Sequence, residues 1–187
     1  MSGVSGAAYI FDNGLCGIIN MNNNLAVYSG SFDPVTFGHL DIIERASRIF
    51  DRIIVAVFTN ASKKHLFTQE QRVVLLREAL KEKKNVEVDC FNGLLVDYVK
   101  SKNTNLIIRG LRAVSDLDYE FQVAATNRTL SPKIETIFLM PRQRYTYLSS
   151  SVVRDIASFG GDLTKLVPPH VAAAIEDIYK KQYGKTE

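Results

Sequence analysis

The first part of the sequence lacks basic residues, since no Lys or Arg occurs before Arg45. Two short apolar segments, residues 6–11 and 14–19, are separated by Asp12 and Asn13. A secretory signal needs a basic start followed by a continuous apolar stretch, and a transit peptide is rich in arginine. The sequence predicts neither kind of leader, and no later apolar run approaches the length that spans a membrane. We therefore expect a cytoplasmic protein with no membrane partner.

Cysteine is also scarce, because the 187 residues contain only Cys16 and Cys90. No Cys and His residues stand at the close spacing of a metal site, and one distant pair is not the disulfide framework of a small secreted domain. A reducing compartment fits this composition. Cys90 follows an alternating apolar run, which predicts a buried strand residue.

Two common nucleotide-binding motifs are absent. No G-x-x-x-x-G-K-[ST] loop occurs, which excludes a P-loop enzyme. No G-x-G-x-x-G follows the first predicted strand, which leaves a dinucleotide-dependent redox enzyme unsupported. The formal net charge is only +3, which is too small to indicate a nucleic-acid partner but is compatible with one local anion site.

An alternation of strand and helix patterns begins at residue 25. Short apolar or alternating runs predict strands at 25–28, 53–58, 86–91, 106–109 and 134–140. Helical spacing predicts helices at 39–50, 68–81, 94–100, 116–130, 150–159 and 171–181. This order predicts an α/β fold with a parallel sheet covered on both faces. We expect residues 25–187 to form one domain and residues 1–24 to be an ill-ordered extension.

The residues most suited to chemistry follow strands, at the edge of the sheet where ligands bind. Gly30 and Gly38 let the backbone approach a ligand closely, and His39 stands at the start of a helix, whose positive end favours phosphate. Arg109 and Arg112 form a two-pronged anion clamp, because a guanidinium group binds phosphate oxygens in pairs. These positions favour a binding site for phosphate groups.

A second set of candidates has ordinary structural alternatives. Lys63, after the second strand, is either a solvated loop residue or a point charge for phosphate. The three serines at 149–151 precede a helix that carries Arg154, where one serine would suffice as an N-cap. His39 alone would most often be a capping or packing residue, and Glu120 a surface acid. Their shared position at the carboxyl ends of strands favours function.

These segments together resemble the nucleotidylyltransferase superfamily with the T-x-G-H signature, which reads here Thr36-Phe37-Gly38-His39. They resemble more closely the bacterial pantetheine-phosphate adenylyltransferases, and the sequence IRGLRA at residues 108–113 is the most specific match. The other matching stretches are residues 30–34, 62–64, 119–120, 138–141 and 149–151. The resemblance extends from about residue 25 to 179, and residues 1–24 match nothing in the family.

The resemblance implies a Rossmann-like, doubly wound sheet and a homohexamer. It also implies transfer of the adenylyl group of ATP to 4′-phosphopantetheine in coenzyme A biosynthesis, giving dephospho-coenzyme A and pyrophosphate. No acidic cluster suits a metal held by the protein, so Mg²⁺ is expected to arrive on the ATP phosphates. No covalent nucleophile with an adjacent base is recognisable, and direct in-line attack needs none.

The resemblance also assigns roles to individual residues. The catalytic residues are expected to be His39, Lys63 and Arg112. Contacts to the pantetheine phosphate and arm are expected from Ser31, Lys63, Leu95 and Arg109. ATP is expected to be bound by Ser31, Phe32, His39, Gly110, Leu111, Arg112, Glu120, Tyr145, Thr146, Tyr147, Leu148, Ser149, Ser150 and Ser151.

Three other functions remain open at this point. A related transferase would act on nicotinamide mononucleotide or a small alcohol phosphate, and Leu95 with the IRGLRA sequence argues against it. An RNA-binding module would use the basic and aromatic residues at 142–147, but the sequence has no wider basic stripe. A nucleotide sensor without catalysis would bind ATP and release no pyrophosphate.

Overall fold

A computed structural model describes residues 9–10, 17–18, 24–58, 64–112 and 114–183 of the chain. Residues 9–10, 17–18, 114–116 and 181–183 are described by their backbone alone. The expectation for residues 1–24 falls almost wholly outside this range and stays a prediction. Within it, Tyr9–Ile10 (β1) and Gly17–Ile18 (β2) form a short antiparallel pair.

The main sheet has five strands, and every pairing in it is parallel. Its strands are β3 (Leu25–Gly30), β4 (Arg52–Phe58), β5 (Val86–Phe91), β6 (Leu106–Gly110) and β7 (Glu135–Leu139). Their spatial order is β5-β4-β3-β6-β7, so the chain reverses its direction of winding when it crosses from β5 to β6. This order confirms the predicted Rossmann-like, doubly wound sheet in a single domain.

Helices cover both faces of the sheet. They are α1 (Phe37–Ala46), α2 (Gln69–Leu80), α3 (Leu95–Ser101), α4 (Val114–Leu130), α5 (Ser150–Ser158) and α6 (Pro169–Tyr183). One apolar core joins the sheet to residues of α1, α2, α5 and α6, and a second core on the opposite face includes Val96 and Val99 of α3. Apolar residues buried on both faces explain why the central strands read as continuous hydrophobic runs. None of the helices in the described part of the chain is long and apolar enough to cross a membrane.

Two local predictions need correction. The helix predicted at 39–50 ends at Ala46, because the backbone N–H groups of Arg48 and Ile49 bond three residues back and tighten the chain into turns. Cys90 lies in β5 as expected, but its side chain is exposed rather than buried. The strand β5 is at the edge of the sheet, and among the described strands only β4 lies beside it. An alternating pattern in an edge strand therefore does not guarantee that its apolar side chains are buried.

Candidate active site

A cleft of about 430 Å³ opens at the carboxyl ends of β3 and β6, where the direction of winding reverses. Seven residues expected at the site line it, namely Ser31, His39, Arg109, Gly110, Arg112, Glu120 and Leu148. The remaining lining residues are Tyr28, Ser29, Gly30, Gly38, Ile42, Phe58 and Tyr119. Residues that are 120 positions apart in the sequence therefore meet in one cleft, as the rule for open parallel sheets predicts.

His39 is fixed at the start of α1 by a capping box with Thr36. The backbone N–H of Thr36 donates to Nδ1 of His39 at 3.1 Å, and the backbone N–H of His39 faces the Thr36 hydroxyl at 3.4 Å. Because Nδ1 accepts a hydrogen bond, the proton of the neutral ring resides on Nε2. Burial, and secondarily the charge of Arg112, lowers the pKa of His39 to about 3. His39 is therefore a neutral Nε2–H donor at physiological pH.

Phe32 supports the histidine ring from behind. Its side chain is buried, and its ring meets the ring of His39 edge-on at 5.1 Å and that of Tyr28 at 5.4 Å. A Cβ atom at Gly30 would lie only 3.0 Å from the Phe32 ring, so any larger residue there would require the ring to shift by a few tenths of an ångström. The cleft is lined by Ser31 but not by the Phe32 side chain.

Arg109 is held firmly from two sides. Its Nε and Nη2 donate to the two carboxylate oxygens of Glu120 at 2.6 and 2.7 Å, and its Nη1 donates to the carbonyl of Ser29 at 2.8 Å. Burial lowers the pKa of Arg109, but the hydrogen bonds and charge of Glu120 outweigh burial and raise it overall. Arg109 is thus a permanent, oriented positive charge on one wall of the cleft.

Gly110 and Arg112 complete the wall formed by the end of β6. A Cβ atom at Gly110 would lie at ordinary van der Waals distance from the Tyr28 hydroxyl, at 3.4 Å, and from Ile42, at 3.5 Å. Nη1 of Arg112 lies 3.4 Å from the carbonyl of Leu148.

Burial raises the pKa of Tyr28 to about 12, so its hydroxyl keeps its proton. Leu111 donates its backbone N–H to the carbonyl of Leu139 and extends the ladder past the end of β6.

The segment after β7 is attached to α1. The backbone N–H of Arg142 donates to the buried carboxylate of Asp41 at 2.9 Å, and Nε of Arg142 lies 3.2 Å from the same group. The ring of Tyr145 stacks on that of Phe37 with centroids 6.4 Å apart. Tyr147 is 83% exposed. Among residues 145–151, the cleft is lined by Leu148.

The three serines lie at the start of α5. Ser149 caps the helix by accepting from the backbone N–H of Val152, and Ser150 donates to the carbonyl of Pro34 at 2.7 Å. The Ser151 hydroxyl accepts from Nη2 of Arg154 at 3.3 Å. The bond from Ser150 to Pro34 joins the N-terminus of α5 to the turn after β3, and it therefore brings a helix end near the cleft. Thr146, which is half-buried, precedes this segment in the chain.

Besides Phe32, Leu111 and the residues of the 145–151 segment other than Leu148, two more expected site residues are not among those lining the cleft. Lys63 lies outside the described residues, so its expected role stays a prediction. Leu95 is the first residue of α3 and packs partly buried against the second core. The lining residues that sequence analysis missed include Tyr28 and Ile42, which lie inside a strand and a helix and therefore read as core. Only the meeting of β3, β6 and α1 places these two residues at the cleft.

The comparisons with known proteins agree with this geometry. Residues 27–156 match the model of the family described as cytidylyltransferase-like. A phosphopantetheine adenylyltransferase of Caldanaerobacter subterraneus subsp. tengcongensis is 54% identical over 157 residues, which are 84% of this chain and 98% of that protein. The chain belongs to the phosphopantetheine adenylyltransferase family.

Other phosphopantetheine adenylyltransferases are similarly related. The protein of Dictyoglomus thermophilum is 57% identical over 83% of this chain and 93% of its own. That of Clostridium tetani is 52% identical over 87% of this chain and 99% of its own. A crystal structure of a Vibrio parahaemolyticus protein assigned as a nicotinate-nucleotide adenylyltransferase superposes with a TM-score of 0.60 at 16% identity, covering 84% of this chain and 95% of that one. That likeness supports the fold alone.

Proposed function

We propose that the protein transfers the adenylyl group of ATP to the phosphate of 4′-phosphopantetheine, giving dephospho-coenzyme A and pyrophosphate in coenzyme A biosynthesis. The observation that carries this proposal is an identity of 52–57% to phosphopantetheine adenylyltransferases over nearly their full length. A cleft with one neutral donor and two arginines, built from the residues of the T-x-G-H and IRGLRA segments, supports it.

The reaction is a direct displacement at phosphorus. An oxygen of the pantetheine phosphate attacks the α-phosphorus of ATP, the bond from that phosphorus to the bridging oxygen of the β-phosphate breaks, and pyrophosphate leaves with the bonding electrons. The attacking oxygen is already anionic, so no base has to remove a proton. Catalysis therefore rests on positioning two anions together and on neutralising their charge.

His39 is suited to the reacting centre. Negative charge builds on the non-bridging oxygens as the pentacoordinate phosphorus forms, and Nε2–H of His39 is the donor for that charge. Its capping box with Thr36 fixes the ring before substrate binds, so the donor needs no reorganisation. A neutral ring with the proton on Nε2 donates across the whole physiological pH range.

The other residues divide between the two substrates. Arg109, Ser31, Lys63 and Leu95 serve the pantetheine side, and Arg112 is the main charge for the ATP phosphates. The start of α5, where the serines 149–151 lie, offers further N–H donors to a phosphate group. The segment of residues 145–148 then faces the nucleoside portion of ATP. Glu120 binds Arg109 through its carboxylate, and it therefore acts at the site beside that arginine by fixing its guanidinium group.

Three further properties belong to the same proposal. Mg²⁺ enters as part of the nucleotide substrate, bound to its phosphates; the described residues contain no group of three or more His, Cys, Asp or Glu side chains suited to a metal ion. The protein assembles as a homohexamer. It acts in the cytoplasm. Light scattering of the purified chain tests the assembly, and six copies are expected.

The function is tested by incubating the protein with MgATP and one acceptor at a time and measuring pyrophosphate. The acceptors are 4′-phosphopantetheine, nicotinamide mononucleotide and a small alcohol phosphate. Release that depends on 4′-phosphopantetheine is expected. Release with another acceptor alone would assign a different transferase, and ATP binding without release would indicate a sensor.

A further inference from the structure

Arg72 is a buried arginine on α2, with only 1% of its surface exposed. Its Nη1 donates to the carbonyl oxygens of Ser31 at 2.8 Å and Phe58 at 3.2 Å. Its Nε donates to the carbonyl of Thr68 at 3.3 Å. These carbonyls belong to the turn after β3, the end of β4 and the residue before α2. One guanidinium group therefore joins three separate segments of the chain.

Two of these three segments form the wall of the cleft. Ser31 and Phe58 both line it, whereas Arg72 does not. Arg72 therefore stands behind the wall, and its bonds to the backbone carbonyls of Ser31 and Phe58 connect it to the cleft.

The position of this contact in the sheet is informative. The parallel register of β3 and β4 ends with Gly30 opposite Val57, so Ser31 and Phe58 are the next two residues beyond the last pair. Arg72 bonds to the carbonyl oxygens of both. It therefore bridges the two chains just past the point where the sheet pairing stops and the cleft begins.

An arginine has properties at this place that other residues lack. Its planar group has five N–H donors that point in fixed, different directions, as three separate carbonyls require, whereas a lysine ammonium is a point charge on a flexible stem. Burial of a charge is costly unless it is satisfied, and an apolar residue of similar volume would fill the space at no such cost. Burial lowers the pKa of Arg72, and the charge of the buried Asp33 opposes that effect.

We propose that Arg72 is a positioning residue for the adenylyl transfer, which holds the backbone of Ser31 beside that of Phe58 so that the cleft keeps its shape. The inference rests on the proposed function. It assigns to α2 a part in catalysis although Arg72 touches neither substrate. Displacement of a cleft wall by about 1 Å from a remote substitution is enough to lower the rate on the order of 100-fold.

The test compares Arg72→Ala and Arg72→Lys with Arg77→Ala, a matched control on the same helix whose side chain is exposed. Pyrophosphate release is measured per folded molecule, below the melting transition of each protein. Both Arg72 variants are expected to lose roughly 10- to 100-fold in kcat/KM for 4′-phosphopantetheine. Arg77→Ala is expected to match the wild type. Guanidinium ion at low millimolar concentration is expected to restore part of the activity of Arg72→Ala and none of that of His39→Ala.

Three results would overturn the role of Arg72. These are normal turnover per folded molecule in either variant, a loss that guanidinium does not reverse, and failure of both variants to fold. The last result would assign Arg72 to the stability of the fold alone. A wild type that releases no pyrophosphate would contradict the proposed function instead. In that case ATP affinity, measured by calorimetry on the same proteins, tests Arg72 independently: equal affinity in the wild type and both variants would overturn its role.

Discussion

Glu120 holds Arg109 with both of its carboxylate oxygens, at 2.6 and 2.7 Å, although the two residues lie on different elements, α4 and β6. Both side chains are largely buried. A bidentate pair of this kind fixes the plane of the guanidinium group as well as its position. Arg109 therefore faces the cleft in one orientation before any phosphate binds.

Replacement of Glu120 by glutamine tests what this pair does. The amide of Glu120→Gln loses the charge and can accept at only one atom, so Arg109 is no longer fixed. We expect the KM for 4′-phosphopantetheine to rise about tenfold, which is about 1.4 kcal/mol, and the KM for ATP to change less. Steady-state kinetics with each substrate varied in turn measures both. A rise in the KM for ATP alone would show that Glu120 serves ATP directly, as the family resemblance implies.

The two arginines at the end of β6 are expected to serve different substrates. Arg109→Ala should raise the KM for 4′-phosphopantetheine more than that for ATP, and Arg112→Ala should do the reverse. The assignment of substrates follows the family resemblance, and the structure shows that the two arginines point to different sides: Arg109 contacts Ser29 and Glu120, whereas Arg112 reaches toward Leu148 and the α5 side. If both variants weaken the same substrate alone, the assignment is wrong for one of them.

His39 is expected to act mainly on kcat. Because its donor helps the transition state more than bound ATP, His39→Ala should lower kcat roughly 10²- to 10³-fold and change the KM for ATP far less. His39→Ala also loses the capping box with Thr36, which should lower the free energy of unfolding by about 1 kcal/mol. Thermal unfolding measures this loss.

A matched control separates capping from catalysis at this position. Glutamine is a usual partner in a capping box, so His39→Gln should recover much of the lost stability while kcat stays low. Recovery of nearly normal turnover in His39→Gln, or a destabilised His39→Ala variant with normal kcat, would show that the histidine is only a structural cap.

The protonation of His39 gives a further prediction. Its pKa is about 3 in the folded protein and near 6.5 when unfolded. The unfolded chain therefore binds a proton that the folded chain does not, so this contribution to stability is full above pH 6.5 and is lost as the pH falls toward 3. Nitrogen-15 NMR spectra test this, because the signals of the His39 ring are identified by their absence from His39→Gln. The ring should stay neutral, with its proton on Nε2, from pH 8 to pH 5. A midpoint inside that range, or a proton on Nδ1, would contradict the assignment.

Several features of the fold and site follow from local sequence patterns. The buried strands were predictable because β3, β4 and β6 are covered on both faces, and the capping box of Thr68 with Gln71 marks the start of α2. The position of His39 and of the β6 arginines was predictable because ligands bind at the carboxyl ends of parallel strands. The spacing of Thr36 and His39 also matches a capping box, in which histidine replaces the usual Glu or Gln.

Contacts between distant residues were not predictable in this way. Arg72 reads as one more polar residue on a helix, and its hydrogen bond to the carbonyl of Ser31 joins it to a residue 41 positions earlier in the chain. Asp41 similarly meets Arg142 across 101 positions. The prediction for Cys90 was wrong for a related reason. Its local pattern is that of a buried strand, but β5 lies at the edge of the sheet, where the side chain is exposed.

The most direct measurement is the release of pyrophosphate from MgATP by the wild-type protein, with and without 4′-phosphopantetheine, followed by mass spectrometry of the product. We expect release only when 4′-phosphopantetheine is present, one pyrophosphate for each dephospho-coenzyme A formed, and a loss of both in His39→Ala. Binding of ATP without pyrophosphate release, or release that is independent of 4′-phosphopantetheine, would contradict adenylyl transfer to the pantetheine phosphate.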